Sequence, residues 1–195
     1  MQRTRLGVMT VVVLVFFGIV AATAGSNHGN RVDIRDDCNP ATFNADPPVG
    51  PGLGPNTCVR DGQTTFASFV AQLQANGVKP NASAAGWEFK PGDMRLESGE
   101  ILTTRNQGGE FHTFTEVQHF GGGCVALLNN VLHLTPVPEC TPLLPDGKTP
   151  VVFATTGVPA GGTSTVPTLS QGTHLFECMI HPWMRTTVVV RADDD

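Results

Sequence analysis

The sequence predicts an all-β domain, an antiparallel sandwich or barrel, preceded by an N-terminal extension that carries one short helix. Two observations carry this reading. From Gly86 onward, seven short stretches with β-like patterning are separated by turn residues. Gly and Pro are also abundant, 22 and 15 of 195 residues, while 40% of the chain is hydrophobic, so it is turn-rich yet able to bury a core.

In chain order, Arg3 and Arg5 precede an apolar run over 6–20 and the small residues Ala22-Thr23-Ala24, the pattern of a cleaved export signal over 1–24. The remainder is then periplasmic or secreted. The alternative is an uncleaved N-terminal anchor, because 6–24 is just long enough to span a bilayer. Residues 25–85 form the extension. Asn39-Pro40, Asp46-Pro47-Pro48 and the Gly/Pro run over 50–55 make 25–62 loop-like, and no chemistry is read there. Phe66, Phe69, Val70 and Leu73 fall on one helical face, predicting a helix over about 64–76 that Gly77 and Pro80 stop. The domain proper is 86–195, with strands at 87–89, 100–105, 111–117, 151–155, 162–169, 174–178 and 186–191. A long insertion at about 121–150, containing Cys124 and Cys140, separates them into two groups. Asn81-Ala82-Ser83 is a glycosylation sequon, meaningful in a eukaryotic source.

The net charge of −5 offers no basic field for a phosphate backbone, which excludes nucleic-acid binding. The chemistry lies in Cys178-Met179-Ile180-His181-Pro182-Trp183-Met184, where a thiol, an imidazole and a thioether follow a β-like run. A mononuclear copper electron-transfer site uses these donors, with two His and one Cys in a plane and Met at a long axial distance. The second imidazole is assigned to His112, which follows the Gly108-Gly109 turn at the start of a strand. His119 is an odd number of residues further on and would face the other way. His133 lies in the insertion, His174 in a strand or turn, and His28 in the tail.

The donor identity, order and spacing resemble the cupredoxin family of small blue copper proteins. The C-x-x-H-x-x-M spacing, with Pro182 after His181, is similar to the short ligand loop of amicyanin, and plastocyanin-type loops are longer. The resemblance spans 86–191 and implies a Greek-key β-sandwich holding one type 1 copper ion. It implies Cys178 as the thiolate ligand, His112 as the buried imidazole, His181 as the imidazole whose ring edge reaches the surface, and Met184 as the weak axial ligand. It implies that Thr113 braces the Cys loop, and that redox partners, a cytochrome or an oxidoreductase, dock near His181. Membrane association is expected only with an uncleaved N-terminal segment.

Five cysteines leave one unpaired in an exported chain. Cys38, Cys58, Cys124 and Cys140 show no C-x-x-C spacing and allow three pairings, of which Cys38–Cys58 and Cys124–Cys140 are favoured. Multicopper oxidases share this fold but need His-x-His pairs and a His beside the copper Cys, whereas here Glu177 and Met179 flank Cys178. The expected function is one-electron transfer without catalysis. The alternatives are copper delivery through an exchangeable site, and an interaction module using the insertion and the extension.

Overall fold

Two four-stranded sheets face one another in the structure, a computed structural model that describes residues 29–192. The export signal and His28 lie outside the described residues. The first sheet joins β1 (Arg31–Arg35), β2 (Glu88–Lys90), β4 (Thr103–Asn106) and β8 (Thr163–Thr165) in the order β2-β1-β4-β8. The second joins β3 (Asp93–Glu97), β6 (Thr115–Val117), β9 (Gly172–Glu177) and β10 (Arg185–Arg191) in the order β3-β10-β9-β6. A two-stranded ribbon pairs β5 (His112–Thr113) with β7 (Gly157–Val158). This is the expected all-β sandwich, but its pairing is mixed: β1 runs parallel to β4, and β3 parallel to β10.

The core follows the two-residue side-chain period of strands. Along β10, Thr186, Val188 and Val190 point inward, and along β3 Met94 and Leu96 do the same. They meet Val32 and Ile34 of β1 and Phe89 of β2 in one continuous cluster. An aromatic bridge crosses between the sheets. The Phe89 and Phe114 rings lie 5.2 Å apart, and Phe114 stacks on Phe176 at 4.4 Å.

Helix α2 (Phe66–Asn76) forms where the apolar face places it. The Thr65 hydroxyl caps it by accepting a bond from Ser68 N, and Gly77 ends it at a φ of 60° that suits glycine. Phe69 and Leu73 turn inward, with Phe69 4.7 Å from the Trp87 ring and 5.8 Å from Trp183.

Several local expectations change. Residues 151–155, expected as a strand, belong to helix α4 (Val151–Thr156). The Thr155 and Thr156 hydroxyls bond back to the carbonyls of Val151 and Val152, which makes β-branched residues tolerable there. Helices α1 (Pro40–Phe43) and α3 (Ala126–Leu132) join α2, so the insertion has structure of its own. Three strands went unread, among them the two-residue β7 beside α4. β3 hides behind the Pro91-Gly92 turn, and β1 lies in the stretch expected to be loop, yet occupies an inner position of its sheet. Both favoured disulfides, Cys38–Cys58 and Cys124–Cys140, are present. Asn81 is committed to structure: its side chain donates to Arg185 O at 2.7 Å and accepts from Phe89 N and Arg185 N.

Candidate metal centre

The turn from β9 to β10 is only seven residues long, and backbone bonds close it on itself. Cys178 N donates to Met184 O at 3.1 Å, and Met184 N donates to His181 O at 2.9 Å. Thr113, at the end of β5, accepts a 2.8 Å bond from Met179 N on its hydroxyl, tying the neighbouring strand to this turn. His112 is thereby held directly against Cys178.

Three donor atoms converge. Cys178 Sγ lies 3.7 Å from His112 Nδ1 and 3.9 Å from His181 Nδ1, and the two nitrogens are 3.3 Å apart. A point equidistant from the corners of that triangle lies about 2.1 Å from each, within the bond lengths of about 2.0–2.3 Å that first-row ions make to nitrogen and sulfur. All three side chains are buried, with exposures of 0%, 0% and 3% for Cys178, His112 and His181. The donors therefore fit one metal ion, and a soft sulfur with two imidazoles suits copper. Met184 is fully buried where the turn enters β10. The other histidines stand apart: His119 and His133 are exposed, and His174 is bonded to Glu116 and to Ser170 O.

Charge around the site is arranged to match. Burial disfavours the Cys178 thiolate, but hydrogen bonds from His112 and His181 outweigh it and hold the thiol well below its ordinary range. Burial likewise disfavours a charged His112, yet bonds to Asp36 and Cys178 raise it to about 10. Asp36 Oδ2 lies 2.9 Å from His112 Nε2. Against its own burial, that bond and two backbone N–H groups bring the carboxyl down to about 2. Glu110 is raised, chiefly by burial, and its Oε2 accepts the Trp87 indole N–H at 2.6 Å. Glu177, next to Cys178, is pushed up to about 8 by burial, opposed by Arg185, whose Nε is 3.1 Å away.

Three features depart from expectation. Asp36 lies in the stretch read as free of chemistry, and no local motif marks it because it meets His112 from 76 positions away. Glu110, only two residues before His112, carried a signal in its position that went unused. His181 is also less accessible than the resemblance implies. Phe69 meets its ring edge-on at 6.2 Å and Trp183 at 5.3 Å. Beside it opens an apolar cavity of about 290 Å³ lined by Phe43, Phe66, Leu128, Val131 and Ile180, with Glu110 and His181 as its polar wall.

No family model and no curated protein matches this chain. Among solved structures, a purple cupredoxin from Nitrosopumilus maritimus is similar over 60% of this chain and 95% of its own, at 13% identity and a TM-score of 0.34. A reduced amicyanin variant is similar over 53% of this chain and 73% of its own, at 15% identity and a TM-score of 0.32. An oxidised variant of the same protein gives the same coverage and TM-score at 14% identity. The reading of the site rests on its own geometry.

Proposed function

We propose that this protein is an extracytoplasmic one-electron carrier in which His112, Cys178 and His181, with Met184 as a weaker fourth ligand, would hold a single type 1 copper ion. The observation that carries this is the buried triangle of one sulfur and two imidazole nitrogens, sized for one ion. Bound copper would supply a one-electron couple between Cu(II) and Cu(I).

The chain does the rest. Backbone bonds within the 178–184 turn and the Thr113 hydroxyl hold the sulfur in place without a metal. The bond between His112 Nε2 and Asp36 reserves Nδ1 for a metal, whose binding would displace the Nδ1 proton. Phe69, Trp87 and Trp183, all buried, keep water away from the ligands. An exported location is supported by the N-terminal signal pattern and by two disulfides, which persist in oxidising compartments.

The carrier reading is favoured over an oxidase because the sequence contains no His-x-His pair. It is favoured over copper delivery because the donors are buried, which suits retention rather than exchange. A redox partner, a cytochrome or an oxidoreductase, would dock at the mouth of the cavity beside His181. There Leu53 and Leu127 stand 73% and 64% exposed and offer an apolar seat. The net charge of −5 would steer a basic partner surface toward it at low salt.

The test is to load the purified protein with Cu(II). An intense thiolate-to-copper charge-transfer band is expected in the visible range, and Cys178→Ser should abolish it. A wild type that stays colourless overturns the proposal.

A further inference from the structure

Asp36 is built into the molecule more firmly than a solvent-facing carboxylate needs to be. It follows β1 directly, and Cys38, two residues on, is tied by its disulfide to Cys58. Its side chain is 1% exposed. Oδ1 accepts Gly109 N at 2.9 Å, while Oδ2 accepts Glu110 N at 3.0 Å and faces His112 Nε2 at 2.9 Å. Gly109 N and Glu110 N are donors, so each oxygen already acts as an acceptor, the arrangement of an ionised carboxylate, and such a carboxylate requires the proton on His112 Nε2.

The Gly108-Gly109 turn is shaped around this group. A Cβ at Gly108 would stand 1.8 Å from Asp36 Oδ2, and one at Gly109 would stand 2.8 Å from Cys38 Sγ. Only glycine lets the turn close over the carboxylate. Glu110 offers a contrast at the other imidazole. Its Oε2 is 3.7 Å from His181 Nε2, too far for a hydrogen bond, and is already engaged by Trp87. The two imidazoles are thus unequally backed, one by a bonded anion and one not.

We propose that Asp36 is a positioning and tuning residue of the metal centre: it fixes His112 as the Nε2–H tautomer and sets a permanent negative charge behind that ligand. Through the imidazole, that charge favours the more highly charged oxidised ion and lowers the reduction potential of the centre. The potential half of this inference rests on the copper reading, whereas the His112–Asp36 bond stands without a metal.

Two measurements test it separately. In copper-loaded protein, Asp36→Asn keeps the shape and removes the charge. The charge-transfer band should persist while the Cu(II)/Cu(I) equilibrium shifts at least tenfold toward the reduced form, a rise of at least about 59 mV for a one-electron couple. A variant that keeps the band and the wild-type potential overturns the tuning role. In metal-free wild type with 15N-labelled histidine, the His112 Nε2–H should exchange with water at least tenfold more slowly than the ring N–H groups of exposed His119 and His133. Exchange as fast as theirs overturns the positioning role, and this readout needs neither copper nor a folded variant. A colourless wild type with a slowly exchanging His112 would refute the copper reading and leave the bond established.

Discussion

His174 shows what a single side chain contributes away from the candidate metal centre. Its Nδ1 lies 2.6 Å from Glu116 across the β9–β6 pair, and its Nε2 lies 2.8 Å from Ser170 O. Burial pushes the imidazole pKa down, but the Glu116 and Ser170 bonds outweigh it and hold it above the ordinary 6.5. A raised histidine stabilises the fold fully below its unfolded value and loses that contribution as pH rises through the folded value. The difference in urea midpoint between wild type and Glu116→Gln should therefore be greatest below pH 6.5 and shrink above it. Parallel curves across that range would exclude the pair as a source of pH dependence. Such contacts were invisible in the sequence, since Glu116 and His174 are 58 positions apart and nothing local joins them. Cys178 and His181, which the structure brings together, were legible because one short turn carries both.

Helix α2 does more than pack on the domain. Phe69 is 3% exposed and touches the aromatic rings of Phe43, Phe66, Trp87, Trp183 and His181. Truncation to Ala leaves a cavity in a well-packed region, and Phe69→Ala should cost about 3–5 kcal/mol in urea unfolding. The same change should speed quenching of Trp183 fluorescence by acrylamide, because the cover over His181 is removed. A loss below about 1 kcal/mol would mean that the helix is peripheral. This helix was readable because four apolar residues share one face and glycine ends the run. α4 was misread because its β-branched run matches a strand equally well, and only bonds to carbonyls within its own turn reveal the helix. β1 was missed for a different reason. Val32 and Ile34 alternate with Arg31, Asp33 and Arg35 in the period of a half-buried strand, but the five residues sit alone among turn-forming Asn, Gly, Asp and Pro residues, and the pattern was passed over.

At the scale of the molecule, covalent links and burial divide the five cysteines between two tasks. Cys38–Cys58 and Cys124–Cys140 close loops with separations of 20 and 16 residues, and each should stabilise the fold by about 3 kcal/mol in the chain-entropy description. Cys178 is the free thiol and is fully buried. Metal-free protein should therefore show no reactive thiol to a bulky disulfide reagent when native and one per chain in denaturant without reductant. Two or more in denaturant would contradict the pairing, and one in the native state would contradict the burial. The disulfide at Cys38 also joins scales, since it anchors the segment that carries Asp36 toward His112.

By itself the sequence determined the chemistry of the 178–184 turn, the odd thiol and the amphipathic helix, because each depends on residues a few positions apart. Local geometry brings such neighbours together in almost any fold that contains them. Only the tertiary structure decided that β1 enters the sheet, that β1/β4 and β3/β10 run parallel, that Asp36 backs His112, and that α2 covers His181. Those contacts join residues far apart in the chain, and register and packing across the whole sandwich select them.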